Sequence, residues 1–193
     1  MTVRAEAIMS APPRWWARPT SVVAGLAVLG GIEAVICLRR SGSPMLAADV
    51  FLGVLAVVLG VADLTVKRLP ARIVWPSYPV ALGLLAIASA NGAGWGAFVR
   101  ALLAMIVCGA IFLAAALALP RGLGLGDVSL AGLLGAYCGF VSWPTVDAGV
   151  LCGFLLGTLV LVPIVELRRL GRKTPMPFGP FLLAGALAAL LIG

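Results

Sequence analysis

The chain has 193 residues, of which 62% are hydrophobic and 11% charged, with a formal net charge of +7. A water-soluble domain of this length needs far more polar surface, so the bilayer is the expected solvent. The basic balance does not indicate nucleic acid as a partner, because the 14 Lys and Arg sit in short clusters between apolar runs, with no interleaved basic and aromatic patch.

In chain order, residues 1–20 read as a short basic cytoplasmic tail, with Arg4, Arg14 and Arg18 among Pro12, Pro13 and Pro19. Seven apolar segments follow, at roughly 21–38, 46–62, 73–90, 97–119, 128–143, 146–165 and 178–192. The first ends AVICLRR without a small-x-small cleavage site, which predicts an uncleaved anchor. The fifth and seventh are short and glycine-rich. Open backbone cannot face lipid and no segment alternates as a barrel strand does, so each span is predicted to be a helix. The predicted fold class is an all-α polytopic membrane protein, a bundle of about seven transmembrane helices forming one domain over 21–193.

If the N-terminus is cytoplasmic and every segment crosses, one side carries Arg4, Arg14, Arg18, Lys67, Arg68, Arg72, Arg121, Arg168, Arg169, Arg172 and Lys173. The other carries Arg39, Arg40 and Arg100, a clear positive-inside bias in which Arg39 and Arg40 are the misfit. Trp15, Trp16 and Trp75 then fall at the inner interface, and Trp95 and Trp143 at the outer one.

Histidine is absent from the sequence. That removes Ser-His and Cys-His nucleophiles, HExxH zinc sites and His-ligated haem. Cys37, Cys108, Cys138 and Cys152 lie in or at the ends of apolar runs without a CxxC pair, and read as small buried hydrophobes. Neither metal nor cofactor is expected.

The seven acidic residues can therefore be placed one by one. Glu6 is in the tail, Glu33 within the first segment, Asp49 and Asp147 at outer helix ends, and Asp63, Asp127 and Glu166 at inner ends. Asp63 and Asp127 each sit where an apolar helix meets the same interface. Two close carboxylates do not both ionise easily, so such a pair can activate water and protonate a leaving amine without histidine or metal. In GLGLGD at 122–127, Gly124 and Gly126 lack Cβ atoms and admit a peptide or a helix close to the Asp127 backbone. Pro70 marks the turn after Asp63, and TPMPFGPF at 174–181 is a rigid extended strip that can line a cleft. Plain structural readings stand beside these. Asp127 also reads as an N-cap, Asp63 as a helix-end residue paired with Lys67, Glu33 as the partner of a basic or polar neighbour, and Glu166 as an offset to Arg168 and Arg169.

Asp63 followed by KRLP at 67–70, then GLGLGDVSL at 122–130 and PMPFGPF at 175–181, resembles the type IV prepilin peptidase family of GxGD aspartic membrane proteases, over about 46–193. The resemblance implies a multi-pass enzyme of the bacterial cytoplasmic membrane that removes the short basic leader of pilin-like precursors at the cytoplasmic face. It carries over Asp63 and Asp127 as catalytic, with Pro70, Gly124, Gly126, Ser129, Pro177, Phe178 and Gly179 supporting the substrate cleft. Larger members carry an N-terminal CxxC domain and also methylate; the sequence shows no such domain and methyltransferase activity is not expected. Ser129 stands where many members have lysine, and Ala71 where asparagine is frequent. The expected partners are a precursor with its leader and hydrophobic helix, and the lipid bilayer. The alternatives are an ion- or proton-coupled transporter working through Glu33, a non-catalytic secretion or pilus assembly subunit, and, further behind, a Ser-Lys pair of Ser129 with Lys67.

Overall fold

A computed structural model describes residues 19–66, 71–118, 124–167 and 179–193. Among these residues there are seven α-helices and no strand: α1 Pro19–Arg39, α2 Leu46–Val66, α3 Ala71–Ala88, α4 Trp95–Ala118, α5 Leu125–Val141, α6 Trp143–Leu167 and α7 Gly179–Ile192. Each helix overlies one predicted apolar segment. Among the described residues, α4 is the one helix that is both long and apolar enough to cross a bilayer by itself. It has 24 residues, against 17 for α5 and 14 for α7.

The packing is inverted relative to a soluble bundle. On α4 the buried face consists of Ala101, Ala104, Cys108, Phe112 and Ala116, while Val99, Leu103, Ile106 and Ile111 face outward. Leu151, Phe154, Leu155 and Leu159 do the same on α6. Small residues inside and large apolar ones outside is the arrangement expected of a helical membrane protein, in which helices associate by close packing rather than by escape from water.

Three antiparallel hairpins organise the bundle, α1–α2, α4–α5 and α6–α7, with α3 against α2 and α5. Glycine sets the two closest approaches. A Cβ on Gly135 would stand 2.8 Å from the Ala104 carbonyl oxygen, and one on Gly139 would collide with the Ala104 methyl. Gly149 and Gly153 on α6 bear on Ala186 and Leu182 of α7 in the same way, at 3.4 and 3.2 Å. Both pairs are GxxxG spacings, which put two glycines on one helix face. α3 persists through Pro76 and Pro79; interrupted backbone bonding of this kind is tolerated where neighbouring helices enclose it. Beyond α3 the chain makes a wide turn over Ser89–Ala93, and Gly92 takes φ 117°, a left-handed value open to glycine.

The three arginines expected on the minority side have a structural task. Arg100, at the start of α4, donates to the carbonyls of Gly139, Phe140 and Val141 at 2.7, 2.6 and 2.8 Å. These are orphan acceptors at the C-terminus of α5, where the helix dipole also favours a cation. Arg40 and Arg39, beyond the end of α1 and at its last residue, donate to Leu190 and Leu191 carbonyls at the end of α7, at 3.0 and 3.2 Å. Arg39 and Arg40, the misfit in the charge count, thus serve as caps at this end of the bundle. Arg100→Met keeps most of the aliphatic volume and removes the cap; it is expected to cost about 2–3 kcal/mol, read as a lower melting temperature in detergent.

Candidate active site

The two ends of the bundle are distinguished by these caps. Arg40 and Asp49, Arg100 and Val141, and the last residues of α7 gather at one end, the capped end. α2 starts there with Asp49, and Asp63 lies fourteen residues further along the same helix, roughly 21 Å away. α5 finishes there with Val141, and Asp127 lies fourteen residues before it in the first turn. Both aspartates therefore belong to helix positions at the opposite end. The Asp63 side chain lies outside the described residues, as do Lys67, Pro70, Pro177 and Phe178.

Asp127 is not the N-cap of its helix. Gly124 occupies that position with extended backbone, and Asp127 is the third helical residue. Its Oδ2 accepts the Gly124 backbone N–H at 3.1 Å, one half of a capping box, and glycine has no side chain to return the other half. A Cβ at Gly124 would stand 3.4 Å from the same oxygen. Asp127 is half-buried and precedes the apolar run 128–143. Burial pushes its carboxyl above the ordinary carboxylate range, and the Gly124 N–H, which favours the charged form, works against that shift.

The turn after Asp127 is held from two sides. Ser129 Oγ donates to the Leu125 carbonyl at 3.1 Å, within its own helix. The Ser129 carbonyl accepts the Tyr78 hydroxyl from α3 at 2.5 Å. Gly132 makes room for this phenol, since a Cβ there would come within 2.7 Å of it. Tyr78 thus ties the helix that follows the Asp63–Pro70 stretch to the helix that carries Asp127. Sequence reading misses it; the one available cue is a phenol within an apolar segment, a group that seeks a hydrogen-bond partner when buried. Tyr78→Phe is expected to lower stability by about 1 kcal/mol, measurable by thermal unfolding.

Gly126 is half-buried in the first turn of α5, and Gly179 is buried at the start of α7. A small apolar crevice of about 20 Å³ opens between α4, α5, α6 and α7, lined by Phe112, Leu134, Cys138 and Leu182 among others. No acid or base lines it, so it offers nothing to acid–base chemistry. Among the described residues no three Cys, Asp or Glu side chains cluster as a metal site.

Comparison with curated proteins finds relatives named prepilin leader peptidase/N-methyltransferase. The one from Pseudomonas aeruginosa is 37% identical over 73 residues, 38% of this chain and 24% of that protein. That from Burkholderia pseudomallei is 36% identical over 107 residues, 51% of this chain and 34% of its own length. A third, from Pseudomonas putida, is 41% identical over 71 residues, 36% of this chain and 24% of that protein. Over these stretches the chain is similar to proteins named prepilin leader peptidase/N-methyltransferase. It spans about a quarter to a third of the length of these relatives. No family model matches the chain, and no solved structure does. The chain presents Asp127 in the first turn of α5, immediately after the glycines of the GxGD stretch.

Proposed function

We propose that this chain is a membrane aspartic endopeptidase that removes the short basic leader of type IV pilin-like precursors at the cytoplasmic face, with Asp63 and Asp127 as the catalytic pair. The observation that carries the reading is the identity of 36–41% to proteins named prepilin leader peptidases. The positive-inside count and the half-buried Asp127 at the end of the bundle away from the arginine caps agree with it. In this reading residues 21–193 act as one domain of seven membrane-crossing helices, with the N-terminus in the cytoplasm.

The precursor's hydrophobic helix lies against the bundle within the bilayer while its basic leader stays in the cytoplasm, which brings the junction to the aspartates. One carboxylate, ionised, takes a proton from water, and the water oxygen bonds to the scissile carbonyl carbon. The other carboxyl, protonated, donates a hydrogen bond to the carbonyl oxygen; when the C–N bond breaks, the amine leaves with a proton. A pair of this kind titrates as a unit, so the two roles belong to the pair rather than to named members. Gly124, Gly126 and Ser129 border Asp127, and in this reading Pro70, Pro177, Phe178 and Gly179 have a supporting role toward the substrate. The test is cleavage of a purified precursor by the purified chain in detergent or vesicles, read by mass spectrometry of both products. A single cut between the basic leader and the apolar segment is the expected result, and intact precursor at all enzyme concentrations overturns the proposal.

A further inference from the structure

Asp127 stands in the first turn of α5, and helix ends are where fraying is easiest. Two of the bonds that hold this turn are local: the Gly124 N–H on Asp127 Oδ2, and the Ser129 hydroxyl on the Leu125 carbonyl. They keep the turn in shape but do not fix where it stands in the bundle. The bond from the Tyr78 hydroxyl to the Ser129 carbonyl does, because Tyr78 belongs to α3. A helix carbonyl has a second lone pair beside the one its own ladder uses, so it accepts an outside donor without breaking the helix. Gly132, about one turn along α5, is the notch that admits the phenol: a Cβ there would stand 2.7 Å from the hydroxyl oxygen.

The place of α3 in the bundle gives this bond its weight. Among the described residues α2 and α5 share no extended packed face, whereas α3, like α7, packs against both. α2 carries Asp63 and α5 carries Asp127, so the position of one aspartate relative to the other is set in part through α3. At this level α3 is held less than usual by its own ladder, because Pro76 and Pro79 flank Tyr78 and remove two backbone donors. A side-chain bond reaching from between the two prolines to α5 fixes α3 where its own hydrogen bonds do not. It grips the α5 backbone two residues beyond Asp127.

We propose that Tyr78 is a positioning residue for the peptidase reaction: its bond to the Ser129 carbonyl holds the first turn of α5, and with it the Asp127 carboxyl, in register with the helix that carries Asp63. The proposal rests on the peptidase reading, apart from its backbone readout, which needs no activity. Four variants of the full-length chain are purified in detergent. Tyr78→Phe removes the hydroxyl, Gly132→Ala closes the notch, and a third variant carries both. Leu85→Val takes volume from a buried position further along α3, away from the tie. Precursor cleavage is measured well below the melting temperature of every variant. Tyr78→Phe and Gly132→Ala each lower kcat about ten- to a hundredfold with KM unchanged, the scale on which a small misplacement of a reacting group acts. The double variant is no slower than the slower single one, because the new Cβ and the hydroxyl contend for one place. Leu85→Val melts lower, as Tyr78→Phe does, yet keeps the wild-type kcat. Amide hydrogen exchange over residues 124–133, followed by mass spectrometry, is about fivefold faster in Tyr78→Phe and unchanged in Leu85→Val. Tyr78→Phe keeps the ring and carries the test if Gly132→Ala does not fold. Wild-type kcat in Tyr78→Phe, an equal loss of kcat in Leu85→Val, or exchange over 124–133 unchanged by Tyr78→Phe each overturns the proposal. A wild-type chain that leaves the precursor intact overturns the peptidase reading instead, and the exchange comparison then decides by itself whether Tyr78 holds the Asp127 turn.

Discussion

Asp127→Asn and Asp63→Asn each yield a folded protein whose cleavage of precursor is slower by about 10³-fold or more. Asparagine suits position 127 because its side-chain oxygen still accepts the Gly124 N–H that the Asp127 carboxylate accepts at 3.1 Å. What the substitution removes is the charge in the first turn of α5, worth about 0.3–1 kcal/mol of helix stability. A rate loss of about 10³ corresponds to about 4 kcal/mol in the barrier. The two magnitudes separate a helix-start residue from a catalytic one. If Asp127 only starts its helix, the variant melts slightly lower and cuts at the wild-type rate. If it is half of the pair, melting is nearly unchanged and the product disappears. Cleavage at wild-type rate by both single variants sinks the aspartic mechanism.

The rival functions predict other patterns with the same proteins. A non-catalytic assembly subunit supports pilus or secretion assembly with both aspartates replaced. A transporter gives proton-coupled uptake that survives Asp127→Asn and depends on Glu33, the acid buried within α1.

The positions of the helices are legible in the sequence because the signal is local and repeated. The segment at 97–119 corresponds to α4 at Trp95–Ala118, and 46–62 to α2 at Leu46–Val66. The extra turn of α2 carries Asp63 inside the helix rather than just beyond it. What the sequence conceals depends on contacts between distant segments. Nothing near Arg40 indicates that it reaches the Leu190 carbonyl, 150 residues away. Glu33 and Asp49 read as a lone span acid and a helix-end acid, and only the antiparallel α1–α2 hairpin, closed at Gly53, brings them together. Aspartate before an apolar run is usually a cap, which is why Asp127 reads as one; in the structure the glycine three residues earlier takes that position. The GxxxG spacings of α5 and α6 are a cue written locally, and they mark the faces where helices approach closest.

These close-packed glycines carry the second large effect, a change of sign for one substitution made at two places. In Gly185→Ala the new Cβ falls onto the Gly153 backbone of α6, 2.5 Å from its Cα and 2.8 Å from the Gly149 carbonyl oxygen. Backbone cannot rotate aside as a side-chain tip can, so α6 and α7 must separate along the line of Gly149 and Gly153. Overpacking of this kind costs about 1–3 kcal/mol, and contact with backbone puts it at the upper end. In Gly83→Ala on α3 the new methyl meets nothing within 4 Å. There the gain in helix propensity dominates, about 0.5–1 kcal/mol in favour of alanine. Melting of the two variants side by side in one detergent should therefore move in opposite directions, down by several degrees for Gly185→Ala and slightly up for Gly83→Ala. Displacement of α7 also shifts Gly179 at its start, which the proposed cleft includes, so Gly185→Ala is expected to lose cleavage activity while both aspartates remain. If the two variants melt alike, the close α6–α7 contact does not hold the bundle together.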